Sequence, residues 1–359
     1  MGIEQFSLTH EMGSHAGQSR IIRKAYFEHP DYVPLLERAY LNWREFEEEW
    51  GKKIYYRTGL FYFGEPGNPI TGGVLKSAAL YNVPVETLSQ SDAQNRFPVF
   101  NLPAGYEYVF EPDAGFLRPE EAIRGYASLA QSLGAKILTN TAVNGWRMLG
   151  DSIVVDTSAG EFECEKLVVT AGAWTGKLIA DLSNQLKVTK QSLVWTNPTS
   201  PDQFALGNFP CWLMSDPERG PYYGFPILDP GLFGAPAGLK SAHHFPAVEF
   251  DPTQSDREIN ADTEEDIRYA LSKWLPAANG EILAMKSCLY TNAPDENFII
   301  DQLPGSNGKI TVACGTSGHG FKFASVIGEI LSDLSTNGKT EMPIEFLSLK
   351  RFAGASYHH

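Results

Sequence analysis

Three short segments of the chain carry side chains that could act together at one cavity. Near the C-terminus, residues 288–291 read Cys-Leu-Tyr-Thr and residues 317–322 read Ser-Gly-His-Gly-Phe-Lys. Near the N-terminus, residues 20–23 read Arg-Ile-Ile-Arg. Together they offer a thiol, an imidazole, a lysine and two guanidinium groups, which suit the binding of an anionic ligand beside a reactive centre. We therefore predict one active-site cavity built from both ends of the chain.

The cationic side chains predict a binding site for a small carboxylate. Arg20 and Arg23 lie three residues apart, and a guanidinium group binds a carboxylate through two parallel hydrogen bonds. Two surface arginines at the start of a helix are the simpler alternative. Lys322 falls where a helix is predicted to begin, and a cation there opposes the helix dipole. It therefore predicts an anionic partner, with a solvated lysine as the alternative.

Cys288 and the histidines allow further interpretations. Cys288 closely follows Lys286, and a neighbouring cation can lower the pKa of a thiol, although a small buried side chain is the simpler interpretation. Pairing Cys288 with His319 or His244 would give a thiol hydrolase, which the residues around Cys288 do not support. If residues 238–244 form a strand, Lys240 and His244 share a face. No spacing of histidines or cysteines indicates a metal site.

The order of predicted elements indicates an α/β fold with α+β character. Residues 54–63 are aromatic and interrupted by a glycine, so we predict a strand or a bent hairpin there, and residues 162–170 predict another strand. Residues 188–290 predict a mostly antiparallel sheet with long loops. A strand, a glycine turn and a helix follow at 309–334. Apolar residues at three- and four-residue steps predict helices at 33–50, 119–133 and 262–275.

Composition restricts the class of partner. The 359 residues are 43% hydrophobic and 20% charged, as in a globular protein, with a net charge of -14. This charge argues against a nucleic acid or an anionic membrane as partner, since both require a basic surface. No apolar run reaches the ~18–20 residues of a membrane helix, and no secretory signal is visible. The four cysteines are too sparse for a disulfide scaffold. We therefore predict a cytoplasmic location.

A glycine-rich turn for a dinucleotide pyrophosphate is missing from the sequence. The pattern G-x-G-x-x-G occurs nowhere, and residues 318–320 lack the third glycine. Glu4 nevertheless follows a short hydrophobic start, like the acidic residue that ends a second Rossmann strand and binds a ribose hydroxyl. On this interpretation the sequence begins about one strand, one turn and one helix late.

Taken in order, these segments resemble the monomeric sarcosine oxidase and N-methyltryptophan oxidase group of flavoproteins, from about Glu4 to about Phe352. The resemblance implies a FAD-dependent oxidase that takes a hydride equivalent from the carbon next to a secondary amine. The imine product then hydrolyses, and oxygen is reduced to hydrogen peroxide. The motifs that carry the resemblance are GSHAGQSRIIR at 13–23, FEPDAG at 110–115, YYGFP at 222–226, GLK at 238–240, CLYT at 288–291 and SGHGFKF at 317–323.

The same resemblance implies the domain organisation and the site residues. A glutathione-reductase-like FAD-binding domain would comprise 1–50, 117–187 and 290–345, and a substrate domain with a mixed or antiparallel sheet would comprise 51–116 and 188–289. The implied roles are catalytic for Lys240, His244, Tyr223 and Arg20, substrate-binding for Arg23, Lys322, Met214 and His319, and cofactor-binding for Cys288 (as a covalent thioether), Glu4, Ser14, His15, Thr291, Gly318 and Gly320.

The expected substrate is a small N-methyl amino acid such as sarcosine, with molecular oxygen as acceptor and a monomer as the active form. N-methyltryptophan and pipecolate remain alternatives, because loops rather than motifs determine the size of the pocket. The missing turn departs from the family pattern, in which a strand and a glycine-rich turn precede Glu4. A mis-assigned start, a shortened chain or a flavin-less, catalytically silent relative would each explain it, and we expect one of the first two.

Overall fold

Helices and strands alternate along the chain, in agreement with the predicted α/β class. The computed structural model describes residues 1–244, 248–254, 259 and 261–352. Within those residues the helices are Tyr32–Trp50 (α1), Pro69–Tyr81 (α2), Gln90–Arg96 (α3), Pro119–Ser132 (α4), Thr175–Leu178 (α5), Pro230–Phe233 (α6), Ala261–Trp274 (α7) and Ala324–Asn337 (α8). The strands of the first half are Gly2–Ile3 (β1), Arg20–Ile22 (β2), Tyr55–Arg57 (β3), Leu60–Gly64 (β4), Glu86–Leu88 (β5), Glu107–Glu111 (β6), Gly115–Leu117 (β7), Ile137–Leu138 (β8), Val143–Leu149 (β9), Ser152–Thr157 (β10), Gly160–Cys164 (β11) and Leu167–Val169 (β12). Those of the second half are Lys187–Asn197 (β13), Cys211–Asp216 (β14), Gly220–Gly224 (β15), Leu239–His243 (β16), Val248–Glu249 (β17), Glu281–Asn292 (β18), Ile299–Gln302 (β19) and Ile310–Cys314 (β20).

The long helices lie where the apolar spacing predicts them. α1 begins one residue before the predicted start and ends at Trp50, where Gly51 takes a left-handed φ of 73°. α7 is displaced by one residue from the prediction. At the C-terminus the α-helix begins later than predicted, because Lys322 lies in the 3-10 turn Phe321–Phe323 that precedes α8. Across the described residues, no helix combines the length and the apolar character required to cross a membrane.

A nine-stranded sheet forms the floor of the site. Its strand order is β17-β13-β16-β15-β14-β4-β6-β5, and β18 pairs with the other edge of β13. The pairs are antiparallel apart from β14 with β4, so the antiparallel sheet predicted for 188–290 is confirmed and also includes β4, β5 and β6. β13 and β18 pair from Lys187 opposite Asn292 to Asn197 opposite Glu281. This long ribbon carries Cys288 and Thr291.

Outside the large sheet, parallel strand pairs occur in two separate groups. β1 pairs with β8, and β12 pairs with β20, which has β19 on its antiparallel side. Among the described strands, none pairs with the second edge of β1 or of β12. The ends of β1 and β12 are nevertheless close, because the rings of Phe6 and Trp174, which follow them, have centroids 5.6 Å apart. Glu4 and the turn after β12 therefore lie close to each other.

Two segments that we predict as continuous are split between sheets. β3 pairs with β7, whereas β4 pairs with β6 and β14. Between them Gly59 has a φ of 71°, and a Cβ there would lie 2.1 Å from the ring of Phe110. Residues 54–63 are therefore neither one strand nor a hairpin. Residues 162–170 are divided in the same way, since β11 pairs with β10 and β12 pairs with β20.

Two apolar cores lie on opposite faces of the large sheet. One includes Leu60 and Leu213 together with side chains of α1 and α8. The other includes Phe61 and Met214 together with side chains of α7. Neighbouring strand residues alternate between the two cores, as the pleat requires. The first core joins segments that we assign to different domains, so the domain boundaries remain a prediction.

Candidate active site

A buried ion pair lies in the predicted carboxylate site. Arg23 follows β2, is 3% exposed, and donates from Nη2 to both carboxylate oxygens of Glu28, at 2.6 and 2.7 Å. Its guanidinium group also lies 4.1 Å from the centre of the Tyr26 ring. Burial opposes both charges, but their attraction outweighs it, so the pKa of Glu28 falls to about 2 and the pKa of Arg23 rises above its ordinary value. Both side chains are therefore charged at neutral pH.

Lys322 adds a second buried cation to this pair. Its Nζ donates to His319 O at 2.8 Å and to the hydroxyl of Tyr26 at 3.4 Å. Burial and, to a smaller extent, Arg23 lower the pKa of Lys322, Glu28 opposes the decrease, and the resulting pKa is about 7. Within the described residues no carboxylate pairs directly with Lys322, so Glu28 is shared electrostatically by two cations. Below pH ~7, where Lys322 is protonated, the group contains two positive charges and one negative charge. It can therefore bind one further anion without acquiring a net negative charge.

Hydrogen bonds fix the tautomer of His319. Its Nε2 lies 3.1 Å from Glu296 O, which can only accept, so Nε2 carries the proton and Nδ1 accepts from the Tyr26 hydroxyl at 2.6 Å. Burial lowers the pKa of His319 to about 4, and the neutral ring follows. Lys322, Tyr26 and His319 thus form one directed chain of hydrogen bonds. Its effect is to hold the lysine beside Arg23.

Lys240 and Arg20 meet at the loop that precedes β2. Lys240, on β16 and 2% exposed, donates from Nζ to Gly17 O at 2.7 Å and to Ser19 O at 2.8 Å. Arg20 donates to Ser14 O at 2.7 Å, to Ser19 O at 2.8 Å and to a further carbonyl of the same loop. Burial lowers the pKa of Lys240 well below its ordinary value, and Arg20 lowers it further. The two predicted catalytic cations are therefore adjacent.

The predicted amine side of the pocket carries aromatic and imidazole groups. His244 Nδ1 lies 3.1 Å from the hydroxyl of Tyr290, and the rings of His244 and Tyr223 meet edge to face at 6.0 Å. Burial lowers the pKa of His244 to about 3 and raises that of Tyr223 to about 12. Both side chains are therefore uncharged near neutrality. His243 points the other way, toward Asp266 at 2.7 Å, as predicted for adjacent strand residues.

The predicted place of Met214 in the pocket is wrong. On β14 Met214 lies opposite Tyr222, and Leu213 lies opposite Tyr223. Opposed residues share a face of the sheet, so Met214 packs in the core behind the sheet. Leu213 is the residue on the face of Tyr223 and Lys240. A displacement of one residue along a strand reverses the direction of the side chain, which explains the error.

The predicted cofactor residues form a continuous track. Glu4 Oε1 lies 3.6 Å from His10 Nε2, and the rings of His10 and His15 meet at 4.9 Å. Ser14 then donates from Oγ to Leu289 O at 2.5 Å, which brings the segment against β18 beside Cys288. Burial and His10 together lower the pKa of His15 to about 4. The track runs from the end of β1 to the thiol.

Gly318 brings the turn after β20 against the same strand, and Gly320 keeps the turn itself compact. A Cβ on Gly318, which has a φ of 80°, would lie 2.2 Å from the ring of Tyr290, and a Cβ on Gly320 would lie 2.5 Å from Thr316. Ser317 N also donates to Thr291 O at 2.9 Å. Only the absence of side chains permits this approach. The turn therefore reaches the same end of the track as Thr291.

Buried polar atoms along the track fit a FAD molecule. His15 Nε2, Thr291 Oγ1 and Gln191 Oε1 are buried and have no hydrogen-bond partner among the described residues. Gln191 lies opposite Cys288 in the β13–β18 register. Buried polar atoms are rarely left unpaired, so a ligand with polar edges is indicated here. Residues 1–31 contain no α-helix, so this segment itself offers no helix N-terminus for the pyrophosphate.

Sequence reasoning missed three residues of the site. Tyr26 and Glu28 follow Arg23 by three and five residues, and a search for acceptors close to the arginine pair would have found them. Gln191 carries no such signal, because its position depends on the pairing of β13 with β18. The other predicted residues, apart from Met214, lie along the track or around the two lysines.

Comparison with known proteins agrees with a FAD-binding site in this chain. The pattern of the DAO family, described as FAD dependent oxidoreductase, matches residues 3–334. Monomeric sarcosine oxidase of Arthrobacter sp. (strain TE1826) is 36% identical over 364 aligned positions, covering 97% of this chain and 89% of that protein. N-methyl-L-tryptophan oxidase of Yersinia pestis (strain Pestoides F) is 33% identical, covering 96% of this chain and 90% of that protein.

Solved structures share the fold at lower identity. NikD, an unusual amino acid oxidase essential for nikkomycin biosynthesis, superposes with a TM-score of 0.82 at 22% identity, covering 96% of this chain and 90% of that chain. L-proline dehydrogenase from P. horikoshii gives a TM-score of 0.77 at 23% identity, covering 96% and 88%. These similarities support the architecture and carry no argument about the substrate.

Proposed function

Since the chain belongs to the DAO family of FAD dependent oxidoreductases, we propose that it is an oxidase of secondary-amine amino acids, with a small N-methyl amino acid such as sarcosine as substrate. The observation that carries this proposal is the buried group of Arg23, Lys322 and Glu28, which has two cations for one carboxylate. A substrate carboxylate would complete its charge balance. The group lies on the side of the site that is lined by Tyr26 and His319.

The proposed substrate carboxylate is bound by Arg23 and Lys322. The Nη2 atom of Arg23 is engaged by Glu28, whereas Nη1 makes only a 3.5 Å contact with Ala25 O. A guanidinium group has donors on more than one edge. Arg23 can therefore bind a second carboxylate while Glu28 stays in place, and the Lys322 ammonium group adds a charge-assisted contact.

The proposed amine side of the substrate faces neutral groups. His244 and Tyr223 carry no charge near neutrality, because burial lowers the pKa of His244 to about 3 and raises the pKa of Tyr223 to about 12. Such surroundings favour the unprotonated amine over the ammonium form. Bound FAD supplies the redox chemistry, as acceptor of a hydride equivalent and donor of electrons to oxygen. Lys240 contributes a buried positive charge for the developing negative charge on oxygen.

The test of the function is a comparison of substrates at equal concentration. We expect the purified protein, supplied with FAD, to form hydrogen peroxide from sarcosine at a higher kcat/KM than from N-methyl-L-tryptophan or pipecolate. A preference for N-methyl-L-tryptophan would favour the alternative, which the 33% identity to that oxidase supports. Peroxide formation from none of the three would favour a ligand-binding protein without catalysis. Primary-amine glycine serves as the matched control for the N-methyl group.

Covalent attachment of the flavin at Cys288 is a separate part of the proposal. Cys288 ends the track from Glu4 and is 2% exposed. After acid precipitation we expect the flavin absorbance in the pellet of the parent protein and in the supernatant of Cys288→Ser. Cys314→Ser is the matched control, because that thiol is also 2% exposed but lies in β20. Release of flavin from the parent by acid would refute the attachment and leave the use of FAD untouched.

We further propose that the protein acts as a monomer in a reducing compartment, as expected for the cytoplasm. Support for the monomer comes from the name of the sarcosine oxidase relatives. Support for the compartment comes from the four cysteines of the chain, all of which are free thiols.

A further inference from the structure

Two consecutive residues of the loop before β2 have left-handed backbones. Gly17 has a φ of 113° and Gln18 a φ of 70°. Their amides both donate to the same oxygen, Oε1 of Glu120, at 2.8 and 3.1 Å. Successive amides that converge on one anion form a backbone nest. The anion here is supplied by the first turn of α4.

The left-handed conformation of Gln18 requires support from its surroundings. For a buried residue other than glycine such a backbone is strained and persists only where neighbouring contacts hold it. The Gln18 side chain accepts from Trp195 Nε1 at 2.9 Å and donates to Pro236 O at 3.0 Å and to Gly234 O. Trp195 lies opposite Lys240 in the pairing of β13 with β16. The loop is thus attached to the part of the sheet that carries the lysine.

The conformation of the loop determines what Lys240 meets. With the amides of residues 17 and 18 directed at Glu120, the carbonyls of Gly17 and Ser19 are directed at Lys240 Nζ, at 2.7 and 2.8 Å. Ser19 Oγ is the third acceptor, at 3.2 Å. An ammonium group has three donors. All three are therefore satisfied by one short loop.

Glu120 also contributes charge at this position. The charged and titratable groups that act on Lys240 are Arg20, the carboxylate of Glu120, and the thiols of Cys288 and Cys211. Glu120 is the carboxylate among them, and it opposes the destabilising effect of burial and of Arg20 on the ammonium form. Burial disfavours the negative charge of Glu120, but the hydrogen bonds from the nest amides and the positive charge of Arg20 favour it more strongly. The pKa of Glu120 therefore lies below its ordinary value. It remains ionised at neutral pH.

We propose that Glu120 is a positioning residue for Lys240: its carboxylate holds the loop 17–19 in the conformation that presents two backbone carbonyls to the lysine, and its negative charge favours the ammonium form of that lysine. The proposal rests on the proposed function, in which Lys240 acts on oxygen. Glu120 itself makes no contact with Lys240. Its influence passes through Gly17 and Gln18.

The test compares Glu120→Gln with the parent holoenzyme. The amide can still accept from the nest but carries no charge. In protein labelled with 15N-lysine, the Nζ signal of Lys240 (assigned by its loss in Lys240→Met) is expected to titrate about one pH unit lower in Glu120→Gln. The rate constant for reaction of the reduced enzyme with oxygen is expected to fall about tenfold at pH 8, with anaerobic reduction by the amine unchanged.

Glu121→Gln is the matched control, because this neighbour on α4 contacts Trp50 and Lys52 instead of the loop. It should leave the Lys240 titration unchanged. Glu120→Asp restores the charge on a shorter side chain, and we expect it to recover the titration of Lys240. An unchanged Lys240 signal in a folded Glu120→Gln protein would overturn the proposal. If Glu120→Gln does not fold, Glu120→Ala takes its place, and a parental Lys240 signal in that folded variant would overturn the proposal.

The two readouts separate this proposal from the function on which it rests. A parental oxygen rate in Lys240→Met would refute the role of Lys240 in the reaction. The 15N titration of Lys240 in Glu120→Gln would still report whether Glu120 controls the lysine. If Glu120→Gln shifts the Lys240 signal but leaves the rate of reaction with oxygen unchanged, Glu120 positions the lysine without affecting the reaction.

Discussion

Replacing Lys240 with methionine is expected to slow the reaction of the reduced enzyme with oxygen by about 10²- to 10³-fold. The reason is the buried position of its ammonium group, which is held by Gly17 O and Ser19 O in surroundings of low dielectric. Methionine fills a similar volume without charge. Anaerobic reduction by the amine substrate is expected to stay near the parental rate. Both rates are measured by stopped-flow absorbance of the flavin.

Two controls make this experiment specific. Lys136→Met removes an exposed lysine and should leave both rates unchanged. Because Lys240→Met removes one donor from each of two buried carbonyls, the melting temperature and the flavin content are compared first. A folded Lys240→Met enzyme that reacts with oxygen at the parental rate would exclude the lysine from this step. A loss of both half-reactions would indicate a general disturbance of the site.

Replacing Lys322 with methionine should weaken the binding of a non-oxidisable carboxylate such as acetate by about 10- to 100-fold. The buried Arg23–Glu28 pair stays intact in this variant, so no carboxylate is left without a partner. A change at Arg23 would not have this advantage, because it would leave Glu28 buried and unpaired. The dissociation constant is obtained from the absorbance change of bound flavin on titration. Parental affinity in the variant would remove Lys322 from the carboxylate site.

The same titration has a defined pH dependence. Burial and Arg23 lower the pKa of Lys322 to about 7 in the free protein. Below this pH the ammonium form is present and attracts the anion, and above it the charge is lost. Affinity for acetate is therefore expected to fall as pH rises through about 7, and this dependence should be absent in Lys322→Met. Lys339→Met, an exposed lysine, should retain it.

The parts of the fold that depend on local sequence could be predicted. α1 and α7 follow from apolar spacing within a few turns and agree with the structure to within one residue. The division of residues 54–63 between two sheets could not be predicted from local sequence. The bend at Gly59 is required by Phe110, which is distant in sequence. A local pattern contains no information on such a contact.

The site residues likewise include some that local motifs predict and others whose placement depends on the folded chain. The roles of Arg23, Lys322 and Cys288 are predictions from motifs. In the structure Cys288 lies at the end of the track, and Arg23 and Lys322 contact Glu28 and Tyr26 respectively. The placement of Met214 failed because the face of a strand changes with every residue, and the register of β14 against β15 decides it. Glu28 lies only five residues after Arg23, but which nearby carboxylate pairs with the arginine is decided by the folded chain. Register and charge pairing are properties of the folded chain.

The site is assembled from distant parts of the chain, and this has a consequence for how the protein folds. The bond from Ser14 to Leu289 spans 275 residues, that from Lys240 to Gly17 spans 223, and that from Lys322 to Tyr26 spans 296. Contacts of such separation require closure of very large loops, so they form slowly and after local structure. No short fragment of the chain contains Arg23, Cys288 and Lys322 together. Cofactor binding and global folding are therefore thermodynamically linked, and uptake of the flavin reports an intact chain topology rather than a local motif.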